Sequence, residues 1–215
     1  MAVLQTIKEQ TYDIIMKKIL TQEYPLGSRI NIGQLSQELG VSNSPIREAL
    51  NLLEQQGLVV TVRNSGISVV NLSQRDRYEL SQMTLFWLTG SYNYCREVGH
   101  VRQLCDSLEA ELTIQKECYE RKDVYEFNRH ANLFDRCFIA ATGNNRLLMQ
   151  FDALFPLLFL GSLYNQENWD RDWRIGLEQH EKILLAVQED RSDEAIEALG
   201  EHYYKPLWDL RERES

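Results

Sequence analysis

The sequence predicts a mainly α-helical protein in two parts. An N-terminal winged helix-turn-helix with a small β-ribbon wing precedes an all-α antiparallel bundle of about six helices. Three observations predict this. Residues 31–70 read as helix, tight turn, helix and two short alternating strands. From residue 74 onward only helical periodicity recurs, with no strand pattern. The breaks between those helical runs are short, as antiparallel neighbours require.

Residues 6–22 form the first helix, with Tyr12, Ile15, Met16 and Ile19 as its buried stripe. Pro25-Leu26-Gly27 breaks it. A shorter helix runs over 33–39, capped by Asn31 with Gln34 and closed by Gly40. Gly40-Val41-Ser42-Asn43 has the length of the turn in this motif. Ser44 caps the next helix, and Pro45 takes its first position, where a missing N–H costs nothing. Ile46, Ala49, Leu50 and Leu53 recur at i, i+3, i+4 and i+7, so that face is buried. Gly57 ends the helix in left-handed backbone, with Leu58 folding back onto Leu53. Residues 59–63 and 67–70 alternate as strands around Asn64-Ser65-Gly66, where Gly66 supplies positive φ.

Ser44, Arg47, Glu48 and Asn51 are left on the outward face of that second helix. A helix N-terminus attracts phosphate through its free N–H groups and its dipole. Arg47 can reach a guanine or a phosphate, and Asn51 can read an adenine or act as a spacer. The predicted partner is therefore double-stranded DNA. The competing reading is a helical hairpin and ribbon used for protein contact.

The net charge of −9 opposes a nucleic-acid partner at first sight. Residues 1–72, however, carry six basic and six acidic side chains, so the whole deficit lies beyond them. A neutral reading domain binds tightly only with good geometry and two copies, and its salt slope is modest. The 215 residues suffice for two domains, 1–72 and 73–215, divided at Asn71-Leu72-Ser73. Ser73 caps the next helix, with Asp76 three residues on.

Cys95, Cys105, Cys118 and Cys137 form no Cys-x-x-Cys pair, and no secretory segment precedes them, so free thiols in a cytoplasm are expected. The most apolar run, 151–163, reads as too short to span a bilayer, so no membrane partner is expected. The bundle helices are expected at 74–96, 100–120, 123–142, 145–164, 170–188 and 191–212. Pro156 and Pro206 fall inside two of them and should bend or break the chain there.

Residues 26–69 resemble the N-terminal domain of the GntR family of bacterial transcription regulators. The likeness lies in LGSRI, LSQELGVSNSPIREALNLLEQQGLV and NSGISV, and VSNSPIREAL is its most specific part. By position it implies DNA contacts from Ser42, Asn43, Ser44, Arg47 and Gly66, the last in the minor groove. The chain departs at Asn43, where the family often has Arg, and at Gly33, often basic. Both changes imply weaker phosphate attraction or an unusual operator. Residues 74–210 resemble the FCD-type effector domain of FadR- and VanR-like regulators, on FDRCFIAATGN and HEKILLAVQEDRSDEAIEALGEH. The six-helix count leans towards the VanR-like branch.

His180 shares a face with Ile183, Leu184 and Val187, and His202 with Ala195, Leu199 and Tyr203, so both point inward. Their helices are consecutive, and an antiparallel pairing brings the imidazoles together. Asp135 flanks the stripe of Phe134 and Phe138. Asp135, His180 and His202 suit one divalent ion, Zn, Ni or Mn, with open positions for water or a ligand carboxylate. The alternative is two core histidines satisfied by hydrogen bonds, with Asp135 as a partner. Metal-binding members of the resembled family have an acidic residue and three histidines at the positions of Ala131, Asp135, His180 and His202. The resemblance therefore implies an incomplete set here. Its frequent effector-holding Arg is Thr84. Trp87, Phe138, Phe155 and Tyr203, with Phe151 and Phe159, can line an apolar effector pocket or simply form core.

These readings predict a cytoplasmic transcription regulator acting as a homodimer on a palindromic operator, one reading helix per half-site. A small effector, a carboxylate or an apolar ligand, would sit in the bundle, and the family's habit implies repression. A metal-dependent enzyme in the bundle is the second reading. It lacks a Ser/His/Asp set or His-Glu-x-x-His and leaves residues 31–70 unexplained. The third is a regulator whose bundle only dimerises, favoured by Thr84, Ala131 and Asp135.

Overall fold

The computed structural model describes residues 5–63, 66–164 and 169–211. They divide into two compact units, Met1–Leu72 and Ser73–Ser215. The first holds α1 (Ile7–Leu20), β1 (Arg29–Ile30), α2 (Ile32–Leu39), α3 (Asn43–Gln55), β2 (Val59–Val62) and β3 (Gly66–Val69).

Thr6 opens α1 with a capping box: its hydroxyl accepts the Glu9 N–H, and the Glu9 carboxylate accepts the Thr6 N–H at 2.7 Å. The helix stops at Thr21, whose N–H and hydroxyl both donate to the Lys17 carbonyl. It therefore ends before Pro25 is reached, and the proline is not what breaks it. Thr11, Ile15, Ile19 and Leu20 are its buried face, with Tyr12 and Met16 half-buried at the margin. Asn31 caps α2 by accepting the Gln34 N–H at 3.1 Å, and Gly40 closes it at φ +64.

The caps of α3 differ in one respect from expectation. Its N-cap is Ser42 rather than Ser44, so Pro45 sits at the third helical position. That position is still free of cost, because the first four N–H groups of a helix have no partner within it. At the other end the Leu58 N–H donates to the Leu53 carbonyl at 2.9 Å, and the Gly57 N–H to Glu54 at 3.0 Å. This is a Schellman end, with Gly57 at φ +75. Ile46, Ala49, Leu50 and Leu53 are wholly buried, with Ile15, Ile19 and Leu35 from α1 and α2.

Among the described residues the sheet has three strands rather than two, in the antiparallel order β1-β3-β2. A two-residue strand carries no alternation for the sequence to show. Only its pairing, Arg29 with Ser68 and Ile30 with Ile67, reveals it. Asn64 and Ser65 of the expected wing tip lie outside the described residues.

The second unit holds α4 (Gln74–Val98), α5 (Val101–Arg121), α6 (Val124–Ala141), α7 (Asn145–Tyr164), α8 (Trp169–Gln188) and α9 (Ser192–Arg211). Ser73 and Asp76 form the expected capping box on α4. Gly99, Lys122, Gly143 and Asp190 turn the chain between helices in left-handed backbone. α5 packs on α6 and α8, α8 on α9, α9 on α4, and α4 on α6. Five helices therefore close a ring, and α7 lies against it through α6 and α4. α7 runs without interruption through Pro156, so this proline does not break it. The expectation at Pro206 lies outside the described side chains. The first turns of α7 also extend its apolar stretch to Asn145–Leu163, with mean hydropathy 1.4. By length and composition alone this helix is sufficient to cross a bilayer, which corrects the shorter estimate.

Gly66 tests the wing. It lies at φ +92, and a Cβ there would come within 3.3 Å of the Arg29 guanidinium. Gly66→Val should destabilise the first unit by about 1–3 kcal/mol through backbone strain. Urea unfolding followed by circular dichroism measures this, and unchanged stability would show that the strand start tolerates a side chain.

Candidate functional site

The same packing that buries one face of α3 presents the other. Ser42, Asn43, Ser44, Arg47 and Asn51 are all exposed, as is Gly66 at the start of β3. The Ser44 hydroxyl donates to Glu48 at 3.3 Å, which holds two of the outward residues together. Arg29 adds a basic group that the helical pattern did not mark. Its guanidinium lies beside Gly66 because β1 pairs with β3.

The ring of the second unit encloses a cavity of about 440 Å³, within the usual range of roughly 300–1,000 Å³ for small-ligand sites. Every helix of the unit contributes: Thr84 from α4, Gln115 from α5, Asp135 from α6, Ser162 from α7, His180 from α8 and His202 from α9. Its polar groups arise from helical stripes that are not wholly apolar. Leu104, Leu108, Leu112 and Gln115 share the buried stripe of α5, and Asn128, Asn132 and Asp135 share that of α6.

His180 is 2% exposed and stacks on Phe134, with ring centroids 4.3 Å apart and planes 9° from parallel. Its Nδ1 meets the Gln115 Oε1 at 2.9 Å. The His202 ring lies 4.8 Å from it, and its Nδ1 meets the Gln179 Oε1 at 2.6 Å. Burial, and then the neighbouring His202, hold the His180 pKa well below its ordinary value. Burial pushes His202 down to about 4. Both imidazoles are therefore neutral near pH 7. With the carboxamide oxygen turned towards it, each carries its hydrogen on Nδ1, since such an oxygen can only accept. Asp135 accepts from the Tyr203 phenol, and burial raises its pKa to about 7 against that hydrogen bond.

The structure thus brings His180, His202, Asp135 and Tyr203 around one cavity, as their spacing suggested. It does not make the first three a metal site. An Nδ1–H held by an oxygen is the orientation that metal-bound histidines adopt, and both imidazoles have it. The third candidate already has a partner. The Asp135 carboxylate is engaged by Tyr203, and Ala131, one turn earlier, offers no donor. Among the described residues no three His, Cys, Asp or Glu side chains could hold an ion. The donor set does not fit a resident Zn, Ni or Mn ion.

Trp87, Phe138 and Phe155 do not line the cavity, whereas Tyr203 does. Phe138 is wholly buried, and Trp87 and Phe155 pack against the same core. Aromatics at helical spacing filled the spaces between helices instead, where their area is best used. Gln115 and Gln179 were missed. The readable signal was a glutamine continuing an apolar stripe on α5. His130 lies away from the cavity, with its Nδ1 on the Glu111 carboxylate at 2.6 Å.

Asp135 supplies a pH test. Its folded pKa of about 7 exceeds the ordinary 3.8, so the folded state holds this proton more tightly. That stabilisation is complete below the unfolded value and is lost as pH rises through the folded one. Asp135→Asn cannot ionise. Between about pH 5 and about pH 8 it should gain roughly 2 kcal/mol relative to the native chain, by urea unfolding in the presence of a chelator. Parallel pH profiles would mean that Asp135 is ionised throughout.

Comparison with known proteins places both units. Residues 7–69 match the family described as bacterial regulatory proteins, gntR family, and residues 100–205 match the FCD domain. YdhC, an HTH-type transcriptional regulator of Bacillus subtilis, is 38% identical over 35% of this chain and 34% of its own length. The gluconate operon transcriptional repressor of Bacillus licheniformis is 24% identical over 82% of this chain and 74% of its own. A solved structure described as a GntR transcriptional regulator from Rhodococcus sp. RHA1 has a TM-score of 0.82 at 16% identity. That match covers 95% of this chain and 97% of that one, and it shows a shared fold. The chain belongs to the gntR family of bacterial regulatory proteins: it is a DNA-binding transcription regulator with a C-terminal FCD effector-binding domain, and not an enzyme.

Proposed function

We propose that this protein represses transcription by occupying a palindromic operator as a homodimer in the bacterial cytoplasm. A small molecule bound in the C-terminal cavity sets how tightly it holds the DNA. The observation that carries the first part is the division of α3 into a wholly buried face and an outward one bearing Ser44, Arg47 and Asn51. Ser42 and Asn43 precede these residues at the helix N-terminus, and Gly66 supplies the wing contact. Repression is favoured by the gluconate operon repressor among its relatives. The effector acts only through its difference in affinity between the DNA-bound and free forms.

A homodimer is supported by apolar surface on the second unit. α4 carries Phe86, Tyr94 and Val98, spaced eight and four residues apart and exposed by 61%, 46% and 42%. On α7, Met149 is 68% exposed, and only 17% of the apolar stretch is buried within the chain. The cavity argues against a bundle kept only for dimerisation. Burying the Gln115 amide nitrogen and the His180 Nε2 without a hydrogen bond is costly in a unit that binds nothing.

Selection of bound sequences from random duplexes is the direct test. It should return a palindrome whose half-sites lie about one helical turn, ~10 bp, apart. Recovery of no preferred sequence would overturn the reading. On the selected site Arg47→Ala should weaken binding by about 1–3 kcal/mol with the fold unchanged. Full affinity in that variant would remove Arg47 from the interface. Phe86→Glu should shift the protein towards monomer in sedimentation at micromolar concentration, and an undiminished dimer would place the interface elsewhere.

A further inference from the structure

Two buried polar atoms at the cavity are left without a partner. Gln115 gives its carboxamide oxygen to His180 Nδ1, while its own Nε2 has no hydrogen bond. His180 Nε2 has none either. The two side chains are 1% and 2% exposed, and both line the cavity. With its hydrogen on Nδ1, the imidazole offers a lone pair at Nε2, and the amide beside it offers an N–H. Exchanging the oxygen and nitrogen of the amide would reverse both roles and leave the same complement. One buried donor and one buried acceptor, on side chains joined by their own hydrogen bond, are therefore left over in the cavity wall.

That complement selects a ligand chemistry. A hydroxyl both accepts and donates, so a hydroxyl can satisfy either atom and a molecule with several can satisfy both. A carboxylate only accepts and leaves the imidazole nitrogen unmatched. The rest of the lining points the same way. Among the described residues it holds one cation, Arg77, against two carboxyl groups, Asp135 and Asp172, and is otherwise neutral. Ser81, Thr84, Asn128 and Asn132 also line it, the last three with donors already given to carbonyls of their own helices. Phe127, stacked on Trp173 at 4.6 Å, gives the cavity a fixed apolar wall suited to the C–H face of a ring.

We propose that the effector is an uncharged, hydroxyl-rich molecule of the sugar or polyol class, held directly by the Gln115–His180 pair with no metal ion between. This rests on the cavity being the effector site. The pair then acts as the specificity element. It rejects molecules without hydroxyls because these leave both polar atoms buried and unmatched.

The test is calorimetric titration of the full-length protein in EDTA with D-xylose, D-glucose and xylitol, matched against D-xylonate and D-gluconate. The uncharged probes should bind, and Gln115→Glu, which keeps an acceptor for Nδ1 but removes the donor, should weaken them on the order of tenfold. Circular dichroism and binding to the selected operator establish that the variant is folded. Binding only by the acids, binding only after Zn²⁺, Ni²⁺ or Mn²⁺ is added, or no binding by any probe would overturn the proposal. The native-chain comparison of neutral and acidic probes decides alone, so an unfolded variant does not protect the idea. The failures are distinguishable. Acids that bind and alter operator affinity would sink this inference and leave the regulator reading intact. A neutral sugar that binds without changing operator affinity would leave the ligand chemistry of the cavity intact and sink its role as the effector site.

Discussion

Between α5 and α8 a glutamine carboxamide and a histidine imidazole meet in the interior of five packed helices. Neither side chain belongs in an apolar core unless its polar atoms are matched. Their mutual hydrogen bond answers half of that demand, and the remaining halves stay unpartnered in the cavity wall. The same logic repeats around the ring. His202 leans on Gln179, Asp135 takes the Tyr203 phenol, and Asn132 donates to the Asn128 carbonyl. Each helix supplies a polar group whose partner sits on a neighbour or on its own backbone. The ring is thereby held at a set spacing, and the space it encloses stays polar.

The N-terminal unit solves the opposite problem. It has no surplus of positive charge to draw DNA in, so its contribution has to come from placement. The Schellman end at Gly57, the buried face of α3 and the bond from the Thr61 N–H to the Glu54 carboxylate fix the helix against the sheet. Lys18 joins α1 to α2 through Glu38 at 2.7 Å. A helix held from several sides can present a few side chains at repeatable positions, and that precision substitutes for charge.

The aromatic residues and the histidines exchanged roles between expectation and structure. Phe134 and Phe138 lie in the packed core, where shape and area count, and Phe134 forms the shelf on which His180 stacks. The histidines are held neutral by burial and oriented by glutamines, which suits hydrogen bonding more than charge. Asp135 is the clearest case. Beside two imidazoles it reads as a ligand, yet Tyr203, on the helix that also carries His202, takes its carboxylate. A resident ion would have to displace that phenol to gain Asp135 as its third ligand.

Nearly every helix was legible in the sequence, because the forces that start and stop helices are local. Ser73 with Asp76, Asn31 with Gln34, and the left-handed turns at Gly40, Gly57 and Gly99 act within a few residues and leave their mark at fixed spacing. The inward faces of His180 and His202 followed from the same periodicity. What periodicity could not show was which inward groups meet. Gln115 and His180 are 65 residues apart, and Asp135 and Tyr203 are 68 apart. Those meetings depend on the order in which five helices close their ring, and no local signal encodes that order. The strand Arg29–Ile30 is the small-scale version, since two residues become a strand only through the partner they find. Local chemistry by itself determined the elements and the face each one buries. Long-range packing alone decided which buried polar groups meet around a cavity and which of their atoms are left without a partner.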